Sequence, residues 1–368
     1  MAQKQKKRNI FVRFFSALKS LFFGKKALGR DIGIDLGSST VLVYVQDKGI
    51  VIREPSVVAI DITTDKVIKV GREAQQMVGR TPANIVATRP LKEGIISQYE
   101  ITLKMMQYFI RRACGKMLFF APRVIVCVPS GITEVEEKAV KDAAINAGAS
   151  HACTIEVPMA AAIGAGLDIY EPVGRMIVDI GGGTTDIAVI SMGGIVASES
   201  IKIAGDKFDE AIARYVRKKY NVLIGERMAE SIKKRIGTVY DQKEAKTMEV
   251  KGRCLKQGLP KIITISSREM IEALSEPITV IIDSICNVIE RTPPELVGDI
   301  LQNGIVMTGG GSLVDGFDKL IERVTGIKTR VAEDAISCVA IGTGKALENF
   351  EEFEKTEVSV SRNRQKRR

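Results

Sequence analysis

Two aspartates carry the clearest chemical signal in the sequence. Asp35 follows the apolar run 32–34 and Asp179 follows the run 176–178, and a glycine comes two residues after each aspartate. Such runs predict buried strands, and glycine permits a tight turn whose N–H groups approach a phosphate closely. A carboxylate beside bound phosphates is well placed to hold Mg²⁺ through water. The pair therefore predicts a site for magnesium and phosphate.

The unit around each aspartate is a repeat. A second strand-like run follows each glycine turn, at 41–45 and at 187–190, and 144 residues separate the two aspartates. A repeat at this distance predicts two similar halves that face each other. Turns 37–40 and 181–185 would then clamp a triphosphate from two sides. A third glycine turn, Thr308 to Ser312, again ends an apolar run.

The elements that must position these turns alternate between strands and helices. Residues 123–129 form a buried-strand pattern, and a helical pattern runs from Glu134 to Ala147 and stops at Gly148. Alternation of this kind indicates an α/β fold with layered helices and sheets. Because no long Pro/Ser linker interrupts the chain, we expect the domains to surround one cleft.

The net charge of +10 over 368 residues is concentrated at the two ends of the chain. Residues 1–30 carry nine Lys or Arg and no acid, and residues 362–368 carry five more, so the body is mildly acidic. This distribution argues against a nucleic-acid-binding domain. Six scattered cysteines and a single histidine also disfavour a Cys/His metal site and fit a reducing cytoplasm.

Residues 10–23 have the pattern of a basic amphipathic helix. Arg13 and Lys19 interrupt the apolar run, which disfavours a transmembrane span, and no signal-peptide pattern is present. The segment therefore predicts a helix that lies in an anionic membrane interface, although an ordinary helix packed on its own domain is the alternative. One face of the helix carries Ile10, Phe11, Phe14, Phe15, Leu18, Leu21 and Phe22.

The order of these motifs resembles that of the actin-like ATPase superfamily, and within it the bacterial actins of the MreB family. The resemblance extends from about residue 31 to 349. It rests on the motifs at 31–37, 54–60, 128–131, 158–164, 179–185, 292–296 and 308–312.

The resemblance implies a duplicated, ribonuclease H-like α/β fold, with two lobes of two subdomains each around a nucleotide cleft. We expect a membrane-binding helix in 1–30, a first lobe in 31–154 with a small subdomain at about 54–96, and a second lobe in 155–336 with a small subdomain at about 206–273. A C-terminal helix in 337–357 would return to the first lobe, and a basic tail would occupy 358–368.

The resemblance also implies ATP and Mg²⁺ in the cleft, with Asp35, Asp179 and Thr184 at the reaction centre and both aspartates holding Mg²⁺ through water. The first phosphate loop would be Ser38, Ser39 and Thr40, and the second Gly182, Gly183 and Thr184. Nucleoside contacts would come from Glu230 and Lys233, which share a helix face and could alternatively form a surface ion pair. The turn Gly310, Gly311, Ser312 and Leu313 would close over the adenosine.

Two departures from the family pattern concern the phosphates. The first loop has Ser38-Ser39-Thr40-Val41 where the family has Thr-Ala-Asn-Thr. Val157 occupies the position of the family's glutamate that orients the attacking water. Because valine offers no acceptor, we predict ATP binding with slow or altered hydrolysis, unless another acid or Thr184 compensates.

Two further features concern surfaces. Leu118, Phe119 and Phe120 lie where the family carries a short membrane-insertion loop, although a buried loop is the alternative. Val135 is on the helix that pairs antiparallel protofilaments in the family, and a core valine is the alternative.

The resemblance implies a filament protein on the inner face of the cell membrane that acts in cell shape. Its partners would be other copies of the chain, anionic lipid and membrane proteins of cell shape or cell-wall synthesis. A small-molecule kinase on the same fold is the alternative. A chaperone ATPase is disfavoured, because only 18 residues follow Phe350.

Overall fold

The computed structural model describes residues 31–115, 121–241 and 244–351. The predicted membrane helix in 1–30, the loop residues Leu118, Phe119 and Phe120, and the basic tail lie outside these residues. Within the described part of the chain, no helix is both long and apolar enough to cross a bilayer.

The first half of the described chain alternates short strands with helices. Its elements are, in order, β1 (Ile32–Leu36), β2 (Thr40–Val45), β3 (Gly49–Pro55), β4 (Val58–Asp61), β5 (Lys66–Val70), α1 (Arg72–Met77), β6 (Ile85–Thr88), β7 (Leu91–Lys92), β8 (Ile95–Ile96), α2 (Tyr99–Cys114), β9 (Arg123–Val128), α3 (Glu134–Asn146), β10 (His151–Glu156) and α4 (Val157–Gly164).

The second half contains longer helices. Its elements are β11 (Arg175–Ile180), β12 (Thr185–Ser191), β13 (Gly194–Ile201), α5 (Gly205–Tyr220), β14 (Val222–Leu223), α6 (Glu226–Ile236), β15 (Thr247–Cys254), β16 (Pro260–Ser266), α7 (Ser267–Glu290), α8 (Pro294–Asn303), β17 (Ile305–Thr308), a 3₁₀ turn (Gly310–Leu313), α9 (Phe317–Thr325), β18 (Thr329–Val331), α10 (Cys338–Ala346) and a second 3₁₀ turn (Leu347–Asn349).

Two five-stranded sheets confirm the predicted duplication. Their strand orders are β3-β2-β1-β9-β10 and β13-β12-β11-β17-β18. In each sheet the first three strands pair antiparallel, and the last two continue parallel to the central strand. The same topology is therefore built twice, once around Asp35 and once around Asp179.

Smaller sheets lie inside the two segments that we predict to be small subdomains. The sheet β5-β4-β6 and the pair β7-β8 fall within 54–96, and the sheet β14-β15-β16 falls within 206–273. The boundaries of the lobes stay a prediction.

Helices α4 and α10 lie between the two large sheets. Their residues share one buried apolar cluster with inward-facing residues of both sheets, such as Ile125 of β9 and Ile177 of β11. The two helices cross in backbone contact, since a Cβ added at Gly342 would be 1.8 Å from the carbonyl oxygen of Ala160. Glycine is thus required at this crossing, and the helix pair forms a closely packed floor for the cleft.

Candidate nucleotide site

Asp35 and Asp179 face the cleft floor from opposite sheets. Side chains alternate across a strand, and the neighbours Ile34 and Leu36 of Asp35 belong to the outer core of the first sheet. The neighbours of Asp179, Val178 and Ile180, belong to the outer core of the second sheet. Both carboxyl groups therefore point inward, toward the side occupied by α4 and α10.

The surroundings of the two carboxyl groups disfavour their negative charge. Burial, followed by the charge of Asp179, raises the pKa of Asp35 to about 8. Burial raises the pKa of Asp179 to about 7, although the Thr308 hydroxyl opposes the shift by donating a hydrogen bond to Oδ1 at 2.8 Å. A nearby cation would offset this cost of burying two like charges.

The donor set fits Mg²⁺. Both groups are carboxylates, which are ligands that Mg²⁺ prefers, and their charges lie close enough to interact. The described residues contain no cluster of three or more His, Cys, Asp or Glu arranged to hold a metal. Mg²⁺ at this place would therefore depend on water and phosphate oxygens for its remaining ligands.

The two glycine turns meet across the cleft. A Cβ added at Gly182 would be 2.5 Å from the Cβ of Ser39, and one added at Gly183 would be 2.8 Å from the Cβ of Ser38. Any larger residue at either glycine would push the turns apart. The serine hydroxyls have partners of their own, because Ser38 Oγ accepts from the N–H of Gly94 at 2.9 Å.

The third residue of each predicted phosphate loop lies beside this contact. Thr40 opens β2, directly after the first turn. Thr184 lies in the second turn, and its methyl group would be 2.8 Å from a Cβ added at Gly94. The structure thus brings all the predicted phosphate-loop residues to the same edge of the cleft.

Ion pairs bridge the cleft above the turns. Arg89, which follows β6, donates to Asp206 Oδ1 at the start of α5 at 2.9 Å, and Ser39 Oγ donates to the same oxygen at 3.1 Å. Lys202 lies 3.6 Å from Glu93 in a second pair. Sequence reasoning missed both pairs, because nothing in the spacing of these residues connects the two lobes.

A cavity of about 600 Å³ opens beside these ion pairs. Its volume falls in the range of small-molecule sites. The wall includes Gly183 of the second turn and Glu230 of α6, so the structure joins one predicted phosphate contact to one predicted nucleoside contact.

Lys233 has a different environment from its predicted partner Glu230. Its Nζ donates to the carbonyl oxygen of Gly205 at 2.7 Å and to Asp209 Oδ2 at 2.9 Å, which ties α6 to the start of α5. Glu230 instead accepts from Lys234 at 2.6 Å. The alternative of a surface ion pair between Glu230 and Lys233 is therefore wrong.

The turn Gly310–Leu313 packs against the end of β11. Gly309, just before it, has φ 80°, and a Cβ there would be 2.3 Å from the carbonyl oxygen of Ile180. Ser312 Oγ donates to the carbonyl oxygen of Gly309 at 2.6 Å and fixes the turn, while Leu313 is exposed. This places the predicted adenosine turn at the same strand end as the second glycine turn.

Val157 is the first residue of α4 and packs against the cluster between the sheets. The preceding residue, Glu156, accepts a hydrogen bond from Ser130 Oγ at 2.7 Å. The backbone N–H of Ser130 in turn donates to Asp186 Oδ1 at 3.0 Å. These residues form a short polar chain at the strand ends beside Val157.

Sequence reasoning missed Ser130 and Asp186. A signal for Asp186 was present, since it follows Asp179 by seven residues across a tight turn. In the antiparallel hairpin that results, Asp186 lies directly opposite Asp179.

Val135 lies on α3 with 79% of its surface exposed. The alternative that it is a core residue is therefore wrong, and its role as a filament contact stays a prediction.

The duplicated sheets, the facing aspartates and the paired glycine turns define an actin-like nucleotide-binding protein. The family model described as MreB/Mbl protein matches residues 29–355, and the chain belongs to this family.

Similar proteins agree with this assignment. The cell shape-determining protein Mbl of Bacillus subtilis is 51% identical over 330 residues, which cover 90% of this chain and 99% of Mbl. The cell shape-determining protein MreB of Escherichia coli is 50% identical over 323 residues, which cover 86% of this chain and 93% of MreB. The crystal structure of MreB5 of Spiroplasma citri bound to AMPPNP matches with a TM-score of 0.85 and 38% identity, covering 90% of this chain and 100% of MreB5.

Proposed function

We propose that this chain is an ATP-dependent cytoskeletal protein that polymerises on the inner membrane surface and helps to determine cell shape. The observation that carries the proposal is the meeting of the two glycine turns beside Asp35 and Asp179. The names of Mbl and MreB, at about half identity over nearly their whole length, support the role in cell shape.

ATP is the nucleotide that we propose for the cleft. The serine and glycine turns would hold its phosphates, Glu230 would contact the nucleoside, and Asp35 with Asp179 would hold Mg²⁺ through water. Mg²⁺ would neutralise charge on the phosphates. The MreB5 structure with AMPPNP supports a nucleotide in this fold.

Hydrolysis would be slow in this chain. Val157 places an apolar side chain where the family orients the attacking water, and transfer of the γ-phosphoryl group depends on that orientation. Loss of such a group costs about 10²- to 10⁴-fold in rate. The chain would therefore remain in ATP-bound filaments for long periods.

Membrane attachment would come from residues 1–30 and from Leu118, Phe119 and Phe120. The aromatic face would enter the acyl boundary, and the basic residues would meet anionic head groups. Filaments would pair antiparallel through the exposed Val135, and membrane proteins of cell shape or cell-wall synthesis would be recruited to them.

Sedimentation tests the proposal against a small-molecule kinase. The full chain is mixed with anionic vesicles and with Mg-ATP, Mg-AMPPNP or no nucleotide, and the pellet is imaged by electron microscopy. We expect filaments on vesicles with either nucleotide and none without. A chain that binds nucleotide but stays in the supernatant under every condition, without vesicles or with them, would support the kinase instead.

Deletion of residues 1–30 tests the membrane anchor. The truncated chain should still form filaments with Mg-ATP and should no longer co-sediment with anionic vesicles. Full vesicle binding by this variant would overturn the proposed role of the segment.

A further inference from the structure

A row of polar side chains crosses the second sheet at the cleft. Thr308 of β17, Asp179 of β11 and Asp186 of β12 occupy paired positions on adjacent strands, so their side chains share one face. All three side chains are buried, and Asp186 is fully so. Asp186 is thus a second carboxylate directly beside the proposed magnesium residue.

The two oxygens of the Asp186 carboxyl group differ in their contacts. Oδ1 accepts from the backbone N–H of Ser130. Oδ2 is completely buried and has no hydrogen-bond partner among the described residues. The hydroxyls of Ser200 and Thr184 lie near enough to oppose the rise that burial causes in the pKa of Asp186, without completing a bond to Oδ2. Buried polar atoms are rarely left unpaired in native proteins, so such an atom at a functional site requires an explanation.

We propose that Asp186 Oδ2 accepts a hydrogen bond from the water that attacks the γ-phosphate, and so performs the orienting role that Val157 cannot. The inference rests on the proposed hydrolysis of ATP and names the residue on which the remaining turnover depends. The water oxygen bonds to the γ-phosphorus while the bond to the β–γ bridging oxygen breaks. The products are ADP and inorganic phosphate, which takes up the proton of the water.

The neighbouring polar groups are less suited to this role. Glu156 is exposed to solvent, and its Oε2 already accepts from the Ser130 hydroxyl. Thr184 lies in the turn between β11 and β12, whereas Asp186 is held within β12 and backed by the Ser130 N–H. An acceptor fixed by the sheet and by its own hydrogen bond orients a water better than one on a turn.

The test measures phosphate release in four forms of the full chain: native, Asp186→Asn, Val157→Glu and the double substitution. Asparagine keeps the shape of the side chain and an oxygen for the Ser130 N–H. In the native background, Asp186→Asn should reduce release by about 100-fold or to background. In the Val157→Glu background, where the family's acceptor is restored, the same substitution should cost only about threefold.

Three controls separate a loss of water orientation from a loss of nucleotide binding, a loss of assembly or a role of Glu156. AMPPNP affinity and AMPPNP-dependent pelleting should be unchanged in Asp186→Asn, and Glu156→Gln, which leaves the Asp186 carboxylate in place, should reduce phosphate release by much less than Asp186→Asn does. An equal loss in both backgrounds, a loss confined to Glu156→Gln, or native release at background would each overturn the inference. Failure of the native chain to bind AMPPNP or to pellet with it would instead refute the proposed function.

Discussion

The two hairpins at the cleft have the same backbone and different side chains. In the first, Asp35 lies opposite Leu42, and Ile34 pairs with Val126 next to Cys127. In the second, the aspartate at the same position has Asp186 on one side and Thr308 on the other. An apolar residue and a thiol in one lobe therefore correspond to a carboxylate and a hydroxyl in the other.

This difference suggests different roles for the two lobes in nucleotide binding and hydrolysis. Both hairpins present a glycine turn and an aspartate, the groups that we propose hold phosphate and Mg²⁺ from two sides. Of the two aspartates, Asp179 has a carboxylate and a hydroxyl as its cross-strand neighbours, so we place the group that orients the water in the second lobe. In this account the duplicated turns bind the phosphates symmetrically, and the proposed hydrolysis depends on the residues by which the two hairpins differ.

The largest effect should follow from making the first hairpin like the second. Leu42→Asp would place an unpaired carboxylate at a position that is 1% exposed, beside Asp35. We expect a loss of about 3–5 kcal/mol in the free energy of unfolding, measured by urea denaturation. Leu42→Met is the matched control and should cost much less; equal stability of both variants would contradict the comparison.

Separating the two turns should have the next largest effect. In Gly182→Ala the new methyl group would be 2.3 Å from Ser39 Oγ. We expect AMPPNP affinity to fall by about 10- to 100-fold, since overpacking forces the turns apart. Calorimetry measures the affinity, with Gly225→Ala as control because a Cβ there has no atom within 4 Å. Unchanged binding by Gly182→Ala would show that the turns do not clamp phosphate.

The Thr308 hydroxyl beside Asp179 should contribute more to the free energy of unfolding than the Cys127 thiol beside Asp35. Thr308→Val removes the hydrogen bond to Asp179 Oδ1 and leaves a buried acceptor unpaired. We expect a loss of about 1–3 kcal/mol in the free energy of unfolding and a further rise in the pKa of Asp179. Cys127→Val should lower the free energy of unfolding by less. Urea denaturation measures both variants, and the reverse order would contradict the proposed difference between the two hairpins.

The smallest effect should come from the ion pair that joins the lobes. Arg89 and Asp206 are each about one-third exposed, so solvent weakens their attraction. Arg89→Gln should lower the free energy of unfolding by about 0.5–1 kcal/mol. Arg214→Gln, in a more exposed pair within the second lobe, should change it by less. Thermal melts of both variants at low and high salt measure these losses. The loss caused by Arg89→Gln should become smaller as salt is added, because screening weakens an ion pair.

The sequence predicted the elements whose signal is local. Apolar runs ending in aspartate and glycine located both hairpins, and the helix after Thr133 has a capping box that explains where it begins. Contacts between distant segments could not be predicted in this way. Lys233 shares a helix face with Glu230, yet its bond to Asp209 depends on how α5 and α6 pack. Asp186 could have been identified from the sequence, because hairpin geometry places it opposite Asp179.

Phosphate release by assembled filaments tests the central claim, that ATP binding drives assembly while Val157 keeps hydrolysis slow. Native chain and Val157→Glu are incubated with Mg-ATP and anionic vesicles, and release is measured in samples whose pelleting confirms assembly. We expect both to assemble and Val157→Glu to release phosphate at least about 100-fold faster. Equal release by the two chains would show that another group already positions the water as well as glutamate does, and would contradict the account.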